Sequence, residues 1–218
     1  MKPILLINFK TYIESSGKDA VKLARLIAKI AKQKKVGVAI AVETADIYPV
    51  SKAAKIPIYA QHIDPIEEGA HTGAVLAKDV KENGAKGTLL NHSEKRMKYR
   101  DLRKSIEIAR KNGLKTVVCV NSIHALRRIR RFKPDYIAIE PPALIGTGIS
   151  VSTAKPGLIK KAVKAARGVP LLCGAGISSG DDVKKAIELG AAGVLAASAI
   201  VKAHDQKAVI LDMINALR

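Results

Sequence analysis

YIAIEPPALIGTG, residues 136–148, is the stretch of sequence around which the rest of the chain is organised. Its first part is a short apolar run with β-branched and aromatic residues, which is typical of a buried strand. The run ends on the carboxylate Glu140, and two prolines follow, which can neither continue a sheet ladder nor lead straight into a helix. Gly146 and Gly148 then free the backbone for close approach to another group. The pattern predicts a catalytic carboxylate beneath a closing loop, although a surface turn with an incidental glutamate has the same composition.

Outward from this stretch, strand-like and helix-like segments alternate along the whole chain. Predicted strands cover residues 4–9, 36–42, 57–61, 87–91, 116–120, 135–140, 169–173 and 193–197. Predicted helices cover 45–54, 74–82, 101–111, 155–167, 181–189 and 206–217, with one more ending near residue 130 and a first one opened by a capping box at 16–19. The strands lack polar alternation, which predicts cover on both faces. Eight such units fit a closed barrel better than an open doubly wound sheet, so we predict an α/β fold, one closed (β/α)8 barrel domain over residues 1–218.

The charge of the chain is unusual for such a fold. Lys and Arg number 38 against 19 Asp and Glu, which gives a formal net charge of +19. A nucleic-acid partner is one explanation. Aromatic residues make up only 3% of the chain and Trp is absent, so stacking surfaces for bases are scarce. We therefore favour a solvated basic surface over a nucleic-acid interface.

Other features of the composition bear on compartment and cofactors. No apolar run is long enough to span a membrane and no secretory signal is visible, so the cytoplasm is the expected location. Cys119 and Cys173 lie inside apolar runs, which predicts buried free thiols in place of a disulfide. His62 and His71 have no carboxylate or cysteine cluster at ligand spacing, so we expect no metal and no organic cofactor.

Polar residues collect where the predicted strands end, and in a barrel these carboxyl ends share one mouth. The strand ends contribute Asn8, Phe9 and Lys10 after the first strand, His92 and Glu94 after the fourth, and Glu140 after the sixth. Small-residue turns follow strands seven and eight, at Gly176 and at Ala197–Ser198, the usual phosphate position of such barrels. A cation, an imidazole and a carboxylate beside backbone anion nests predict an active site.

At these residues the chain resembles the triosephosphate isomerase family, and its shortness resembles the archaeal members. Residues 8–10 are similar to the family's Asn-aromatic-Lys motif, residues 92–96 resemble its His-Ser-Glu-x-Arg motif, and residues 140–148 resemble its catalytic glutamate and lid. The matches run in family order from residue 8 to residue 199. The resemblance implies a TIM barrel and an aldose–ketose isomerase of glycolysis and gluconeogenesis, interconverting glyceraldehyde 3-phosphate and dihydroxyacetone phosphate without a cofactor.

The resemblance also implies roles for the strand-end residues. Glu140 would be the base that removes a proton beside the carbonyl and returns it to the neighbouring carbon, and His92 would donate a hydrogen bond to the substrate oxygens. Lys10 would supply positive charge, Asn8 would help to hold the oxygens, and Glu94 would support the site from behind. The implied substrate- and phosphate-binding residues are Asn8, Phe9, Lys10, Ile145, Gly146, Gly176, Ala197 and Ser198.

The turn at Gly176 departs from the family pattern. Many relatives carry Gly-Gly-Ser-Val where this chain has residues 174–177, Gly-Ala-Gly-Ile, so a phosphate-binding hydroxyl is missing. Because every residue except proline has a backbone N–H, we expect the phosphate to be held mainly by main-chain donors.

Partners and alternative functions complete the sequence prediction. The loop at residues 63–73 resembles the family's interdigitating subunit contact, so we expect a homo-oligomer, with a tetramer favoured and a dimer second. Another phosphate-binding barrel enzyme, such as an aldolase or a tryptophan-pathway isomerase, is the first alternative, although a Schiff-base aldolase needs a strand lysine that strand six lacks. A nucleic-acid-binding role carried by the basic charge is the second.

Overall fold

The structure is a computed structural model that describes residues 2–144 and 150–217. Eight parallel strands close into a barrel in sequence order, and the first strand pairs with both the second and the eighth. At the closure Ile4 lies opposite Gly37 on one side and Gly193 on the other. The predicted closed (β/α)8 barrel is confirmed.

Seven of the eight strands are shorter than predicted, by up to two residues at an end, and the fifth begins one residue earlier than predicted. The strands are β1 Ile4–Asn8, β2 Gly37–Val42, β3 Ile58–Ala60, β4 Gly87–Leu90, β5 Lys115–Val120, β6 Tyr136–Ile139, β7 Leu171–Cys173 and β8 Gly193–Ala196. In the described ranges the helices are α1 Lys18–Lys34, α2 Ile47–Ala53, α3 Ala77–Glu82, α4 Tyr99–Lys111, α5 Ile123–Ile129, α6 Val151–Ala154, α7 Pro156–Ala166, α8 Gly180–Glu188, α9 Ser198–Val201 and α10 Gln206–Asn215. No helix of this described part of the chain is both long and apolar enough to cross a bilayer.

The core has two layers, which explains why the strands lack polar alternation. Alternate residues of one strand face opposite ways. In β1, Leu6 points into the barrel, where it packs with Leu89, Leu172 and other interior residues. Its neighbours Leu5 and Ile7 point outward and pack in the layer beneath the helices. Both faces are therefore apolar, as the sequence predicted.

The capping box predicted at residues 16–19 is wrong. Gly17 is the residue before α1, with φ of 58°, and it makes no side-chain cap hydrogen bond to the helix within residues 2–144 and 150–217. The Ser16 hydroxyl instead lies 2.7 Å from Glu43 Oε1 and 2.9 Å from the Tyr12 carbonyl oxygen. The local pattern predicted that the Ser16 hydroxyl would cap the helix, but it bonds instead to Glu43, which is 27 residues away in the sequence.

The helix predicted over residues 155–167 is divided. Ser150 caps α6, and its hydroxyl oxygen accepts a hydrogen bond from the Ser152 N–H. Lys155 has φ of −137° and ψ of 58°, which interrupts the helical path before Pro156 begins α7. Proline suits a first helical position because its missing N–H has no partner to lose there. The short helix α9 directly after β8 was not predicted.

Candidate active site

The predicted site residues converge at the carboxyl end of the barrel. A cavity of about 520 Å³ opens there. Of the predicted residues it is lined by Asn8, Lys10, His92, Glu94, Glu140, Gly176, Ala197 and Ser198. These eight residues, spread over the chain from residue 8 to residue 198, therefore share one space, because parallel strands deliver their carboxyl ends to one mouth.

Lys10 lies directly after β1 in a backbone conformation that non-glycine residues seldom adopt, with φ of 52°. Two side chains hold it there. Asn8 Oδ1 accepts a hydrogen bond from the Lys10 N–H at 3.1 Å, and Gln61 Nε2 donates to the Lys10 carbonyl oxygen at 2.9 Å. A strained backbone that its surroundings over-determine is common at functional sites. The conformation turns the Lys10 side chain into the cavity.

The Lys10 ammonium pairs with Glu94. Their Nζ and Oε1 atoms lie 2.6 Å apart, with the lysine side chain 17% exposed and the glutamate 58% exposed. Burial disfavours the charged lysine, but the Glu94 carboxylate outweighs that effect and the pKa of Lys10 is raised. Lys10 therefore keeps a fixed positive charge in the cavity across the physiological range.

His92 is held as a neutral imidazole. Its Nδ1 accepts a hydrogen bond from the Glu94 backbone N–H at 3.2 Å, so the remaining proton resides on Nε2. Burial lowers the pKa of His92, and the cations Lys10 and Arg96 lower it further against the opposing effect of Glu94. The ring therefore presents a neutral N–H donor at Nε2, which lies 3.5 Å from Glu140 Oε1.

Glu140 follows β6 and is a buried carboxyl, 3% exposed. Its backbone N–H donates to the Val120 carbonyl oxygen at 2.8 Å, which continues the β5–β6 ladder by one residue and fixes the side chain at the mouth. Burial raises the pKa of Glu140 to about 7, against the opposing effects of the Cys119 thiol, Arg96 and Lys10. Its Oε2 atom has no hydrogen-bond partner among the described residues and so remains able to accept a proton.

Gly174 makes room for Glu140, a role that the sequence did not reveal. A Cβ at residue 174 would lie 2.7 Å from Glu140 Cγ and 3.2 Å from Oε1, closer than atoms of this kind approach. The only signal in the sequence was the position of Gly174 at the start of a small-residue turn. Tyr12 is a second unpredicted residue of the cavity, with its ring centroid 5.9 Å from Lys10 Nζ.

The turns after β7 and β8 present unused main-chain donors to the same cavity. Gly176 has φ of 68°, which favours glycine, and Ala197 precedes α9. Across residues 2–144 and 150–217, no acceptor lies within hydrogen-bond range of the N–H groups of Gly176, Ala197 and Ser198. Free main-chain N–H groups in such turns bind anions, so this edge of the cavity can hold a phosphate.

Asp182 fastens the turn after β7. Its Oδ2 atom accepts hydrogen bonds from the N–H and hydroxyl of Ser178, both at 2.9 Å, and from the N–H and hydroxyl of Ser179, both at 3.2 Å. Burial opposes the charge, but these donors outweigh it and lower the pKa of Asp182. Thr153 and Ser152 of α6 also bond to Asp182, at its Oδ1 and its carbonyl oxygen. The turn and the segment that follows residue 149 are thereby joined.

Among the described residues, one predicted binding residue, Phe9, does not line the cavity. Phe9 is fully buried in the outer core, its N–H donates to Ala41 O and its carbonyl accepts from the Ser15 hydroxyl. The structure therefore assigns Phe9 a packing role in place of the predicted substrate contact, because it faces opposite to Asn8. Ile145 and Gly146 lie outside the described residues.

Cys119 and Cys173 are buried free thiols, as predicted.

Three similarities to known proteins bear on this site. The family model described as triosephosphate isomerase matches residues 3–217. The chain is 46% identical to the triosephosphate isomerase of Methanothermus fervidus, covering 98% of each, and 45% identical to that of Methanobrevibacter smithii, covering 99% of each. The crystal structure of triosephosphate isomerase from Bartonella henselae superposes with a TM-score of 0.72 at 19% identity, over 99% of this chain and 98% of that one. That last likeness concerns the fold.

Proposed function

Because the chain belongs to the triosephosphate isomerase family, we propose that Glu140, His92 and Lys10 carry out that family's reaction in the cavity described above. The enzyme is an aldose–ketose isomerase that interconverts glyceraldehyde 3-phosphate and dihydroxyacetone phosphate through an enediolate, in glycolysis and gluconeogenesis. The observation that carries the assignment of residues is the juxtaposition of a buried carboxyl and a neutral imidazole, 3.5 Å apart, beside a lysine ammonium.

Glu140 acts as the base. Its carboxylate takes a proton from the carbon beside the carbonyl, and the electrons of that C–H bond form the enediolate. The same carboxyl returns the proton to the neighbouring carbon, while a proton passes from one substrate oxygen to the other through Nε2 of His92, so that the carbonyl and the hydroxyl exchange places. A base with a pKa near 7 suits this exchange, since it must both accept and release a proton at neutral pH. One carboxyl performs both steps because the two carbons are adjacent.

His92 and Lys10 stabilise the charge that develops on the substrate oxygens. The Nε2–H of His92 donates to them as a neutral group, and the ammonium of Lys10 supplies a fixed positive charge. Both groups are oriented before the substrate arrives, by the Glu94 N–H, the Glu94 carboxylate and the Asn8 amide. Preorganised donors in a cavity that excludes water lower the barrier, because they need not reorganise during the reaction.

The phosphate binds at the main-chain donors of Gly176, Ala197 and Ser198, with Lys10 adding charge. These N–H groups are without acceptors in the described ranges, and their residues line the cavity that contains Glu140. The Asp182 hydrogen bonds support the proposal, since they hold the first of the two turns in place. Gly146 was predicted to contribute as well, and it lies outside the described residues.

The acid limb of the pH profile tests the assignment of the base. In a coupled assay of dihydroxyacetone phosphate formation, we expect kcat/KM to fall tenfold per pH unit below an apparent pKa near 7, because only ionised Glu140 accepts the proton. The pKa of His92 is lowered, so the imidazole is not expected to add a second step near neutral pH. A limb near pH 4.5, the ordinary range of an exposed glutamate, would contradict a buried base.

Assembly is a further part of the proposal. We propose a homo-oligomer, a tetramer before a dimer, of the short archaeal type, acting in the cytoplasm as one (β/α)8 domain over residues 1–218. Residues 67–74 are exposed, as is Ile13, at 82%, in the loop after Lys10. A second cavity, of about 580 Å³, lies beside Lys10 and Gln61, where a partner's loop can enter. This arrangement places an apolar side chain and an exposed loop at the same end of the barrel.

Sedimentation equilibrium tests the assembly. We expect a particle near four times the chain mass of 23.3 kDa, since burial of exposed apolar side chains favours association. An Ile13→Asp variant should shift the particle to lower mass and lower kcat/KM, while Tyr48→Phe, an exposed aromatic altered only at its hydroxyl, should change neither. A monomer at all concentrations would rule out the proposed contact.

A further inference from the structure

Acidic residues are scarce in one part of the sequence. Between residues 121 and 180 ten Lys and Arg accompany two acids, Asp135 and Glu140. Both acids are already engaged. Asp135 Oδ2 accepts from the N–H and hydroxyl of Thr116, and Glu140 lies in the catalytic cavity. The cations of this region therefore have little acidic surface to neutralise them.

Five of these cations line one cleft between α5 and α7. The cleft has a volume of about 560 Å³ and is lined by Arg127, Arg130, Lys161, Lys164 and Arg167, with two apolar residues. We call it the α5/α7 cleft. Within the described part of the chain it shares no lining residue with the catalytic cavity. Its five cations form no ion pair with any acid in the described part of the chain.

The spacing of the cations places them on facing sides of the two helices. Arg127 and Arg130 are three residues apart, as are Lys161 and Lys164, and Arg167 is three further on. Residues three apart lie on one side of a helix. At a rise of about 1.5 Å per residue, the row from Lys161 to Arg167 extends roughly 9 Å along the cleft. A row of that length exceeds what one phosphoryl group can occupy.

Arg130 supplies an independent observation. Its Nε atom is buried and no acceptor lies within hydrogen-bond range among the described residues. A buried donor without an acceptor is destabilising, and in native proteins such a group usually has a partner in water or a bound ion. The donor belongs to a residue that lines the cleft, and no protein acceptor among the described residues competes for it.

The favourable interaction of Lys and Arg with helix dipoles explains only part of the distribution of these cations. Lys and Arg in the last turn of a helix stabilise it on whichever face they lie. Arg128, for example, stacks on the Tyr99 ring at 4.3 Å, away from the cleft. The dipole effect therefore does not explain why five cations converge on one cleft, where they repel one another.

We propose that the α5/α7 cleft is a binding site for a small oligophosphate of two or three phosphoryl groups. The row of cations matches a linear polyanion, and guanidinium forks bind phosphate oxygens through paired N–H groups. None of the described residues that line the cleft is aromatic, so a nucleobase would find no stacking surface there. Recognition rests on the phosphate chain itself.

Titration calorimetry with tripolyphosphate tests the site in the assembled enzyme. Divalent cations are left out, and saturating glycerol 3-phosphate occupies the catalytic cavity. We expect saturable binding of one tripolyphosphate per chain, weakened by added salt because the cations are largely exposed. The double variant Lys161→Gln with Lys164→Gln should raise the Kd for tripolyphosphate about tenfold, since two charge contacts of modest individual strength are lost.

A matched pair of lysine substitutions outside the cleft controls for the loss of net charge. Lys29 and Lys32 are also exposed lysines three apart, on α1, without an ion-pair partner among the described residues. Lys29→Gln with Lys32→Gln removes the same charge and should change Kd less than about twofold, because diffuse charge is screened. Equal weakening by both pairs would show a general charge effect and overturn the proposed site. Absence of saturable binding to the parent enzyme would overturn it as well.

Arg130→Met separates binding from folding. Methionine removes the buried donor but keeps an unbranched apolar side chain, so Tm should stay the same or rise while tripolyphosphate affinity falls. A lowered Tm with unchanged affinity would assign Arg130 a structural role and overturn its part in the site. Duplex DNA is titrated in parallel, and DNA binding that depends on Lys161 and Lys164 without any tripolyphosphate binding would replace the proposal with a nucleic-acid site. Isomerase turnover of each variant reports folding separately.

Discussion

Replacing Glu140 with Gln is expected to leave the barrel folded and to slow isomerisation by about 100- to 10,000-fold, the usual loss when a general base is removed. Glutamine has the same shape, so it fits the space that Gly174 leaves, but its amide cannot take the substrate proton. kcat and kcat/KM should fall together, because the carboxylate acts in the transition state and contributes little to ground-state binding. The residual activity should lose the acid limb near pH 7.

The same substitution should stabilise the protein at alkaline pH. Glu140 has a folded pKa of about 7 against an ordinary value of 4.5, so the stability associated with its protonated form is lost as pH rises from about 4.5 to 7. Above pH 7 the buried charge destabilises the fold by about 3 kcal/mol, at 1.36 kcal/mol per pKa unit. Urea unfolding at pH 8 should therefore show a higher unfolding free energy for Glu140→Gln than for the parent.

Glu43→Gln is the matched control for this experiment. Glu43 directly follows β2 at the same end of the barrel, and its carboxylate accepts the Ser16 hydroxyl at 2.7 Å without lining the catalytic cavity. The control should keep activity within a few-fold of the parent, since a single hydrogen bond contributes about 1 kcal/mol. If Glu140→Gln also stays within about tenfold of the parent, Glu140 is not the base, because that loss is below the general-base range.

Gly176→Leu is expected to raise KM roughly 10- to 100-fold, with a smaller change in kcat. A bulky side chain at the turn after β7 crowds the free N–H groups of Ala197 and Ser198, and overpacking costs about 1–3 kcal/mol, where 1.4 kcal/mol is a factor of ten. Steady-state kinetics against substrate concentration measures the effect. A structure with a phosphate-bearing inhibitor should place the phosphate on these main-chain donors.

Gly176→Ser is the control that separates bulk from strain. The sequence predicted that Ser would be tolerated with little change in KM, because many family members carry a hydroxyl residue there. Gly176 has φ of 68°, so any side chain at this position costs about 1–2 kcal/mol of stability, and both variants share that loss. We therefore expect Ser to lower Tm yet keep KM within a few-fold. A phosphate bound to lysine side chains, far from the turn, would contradict the proposed binding by main-chain N–H groups.

Much of the site was predictable because catalytic residues follow strands and the strands were readable. Apolar runs such as residues 4–9 and 135–140 appear in the sequence as strands regardless of their partners, since burial on both faces requires them to be apolar. Once eight such runs were recognised, their polar carboxyl ends were expected to meet. His92, Glu140 and Lys10 were found in this way, and the cavity contains all three.

The sequence by itself determined the number of strands, the barrel and the residues at its mouth, because these depend on local composition and order. Only the tertiary structure decided what each side chain does there. Phe9 and Asn8 are neighbours in one motif, yet one faces the core and the other the cavity. The Ser16 hydroxyl bonds to Glu43 and not to its own helix, and the pKa of Glu140 rises because the closed barrel removes water from it. The direction of a side chain, its hydrogen-bond partners from distant parts of the sequence and its burial all depend on how helices and strands pack. A local sequence pattern carries no information about the distances between those helices and strands.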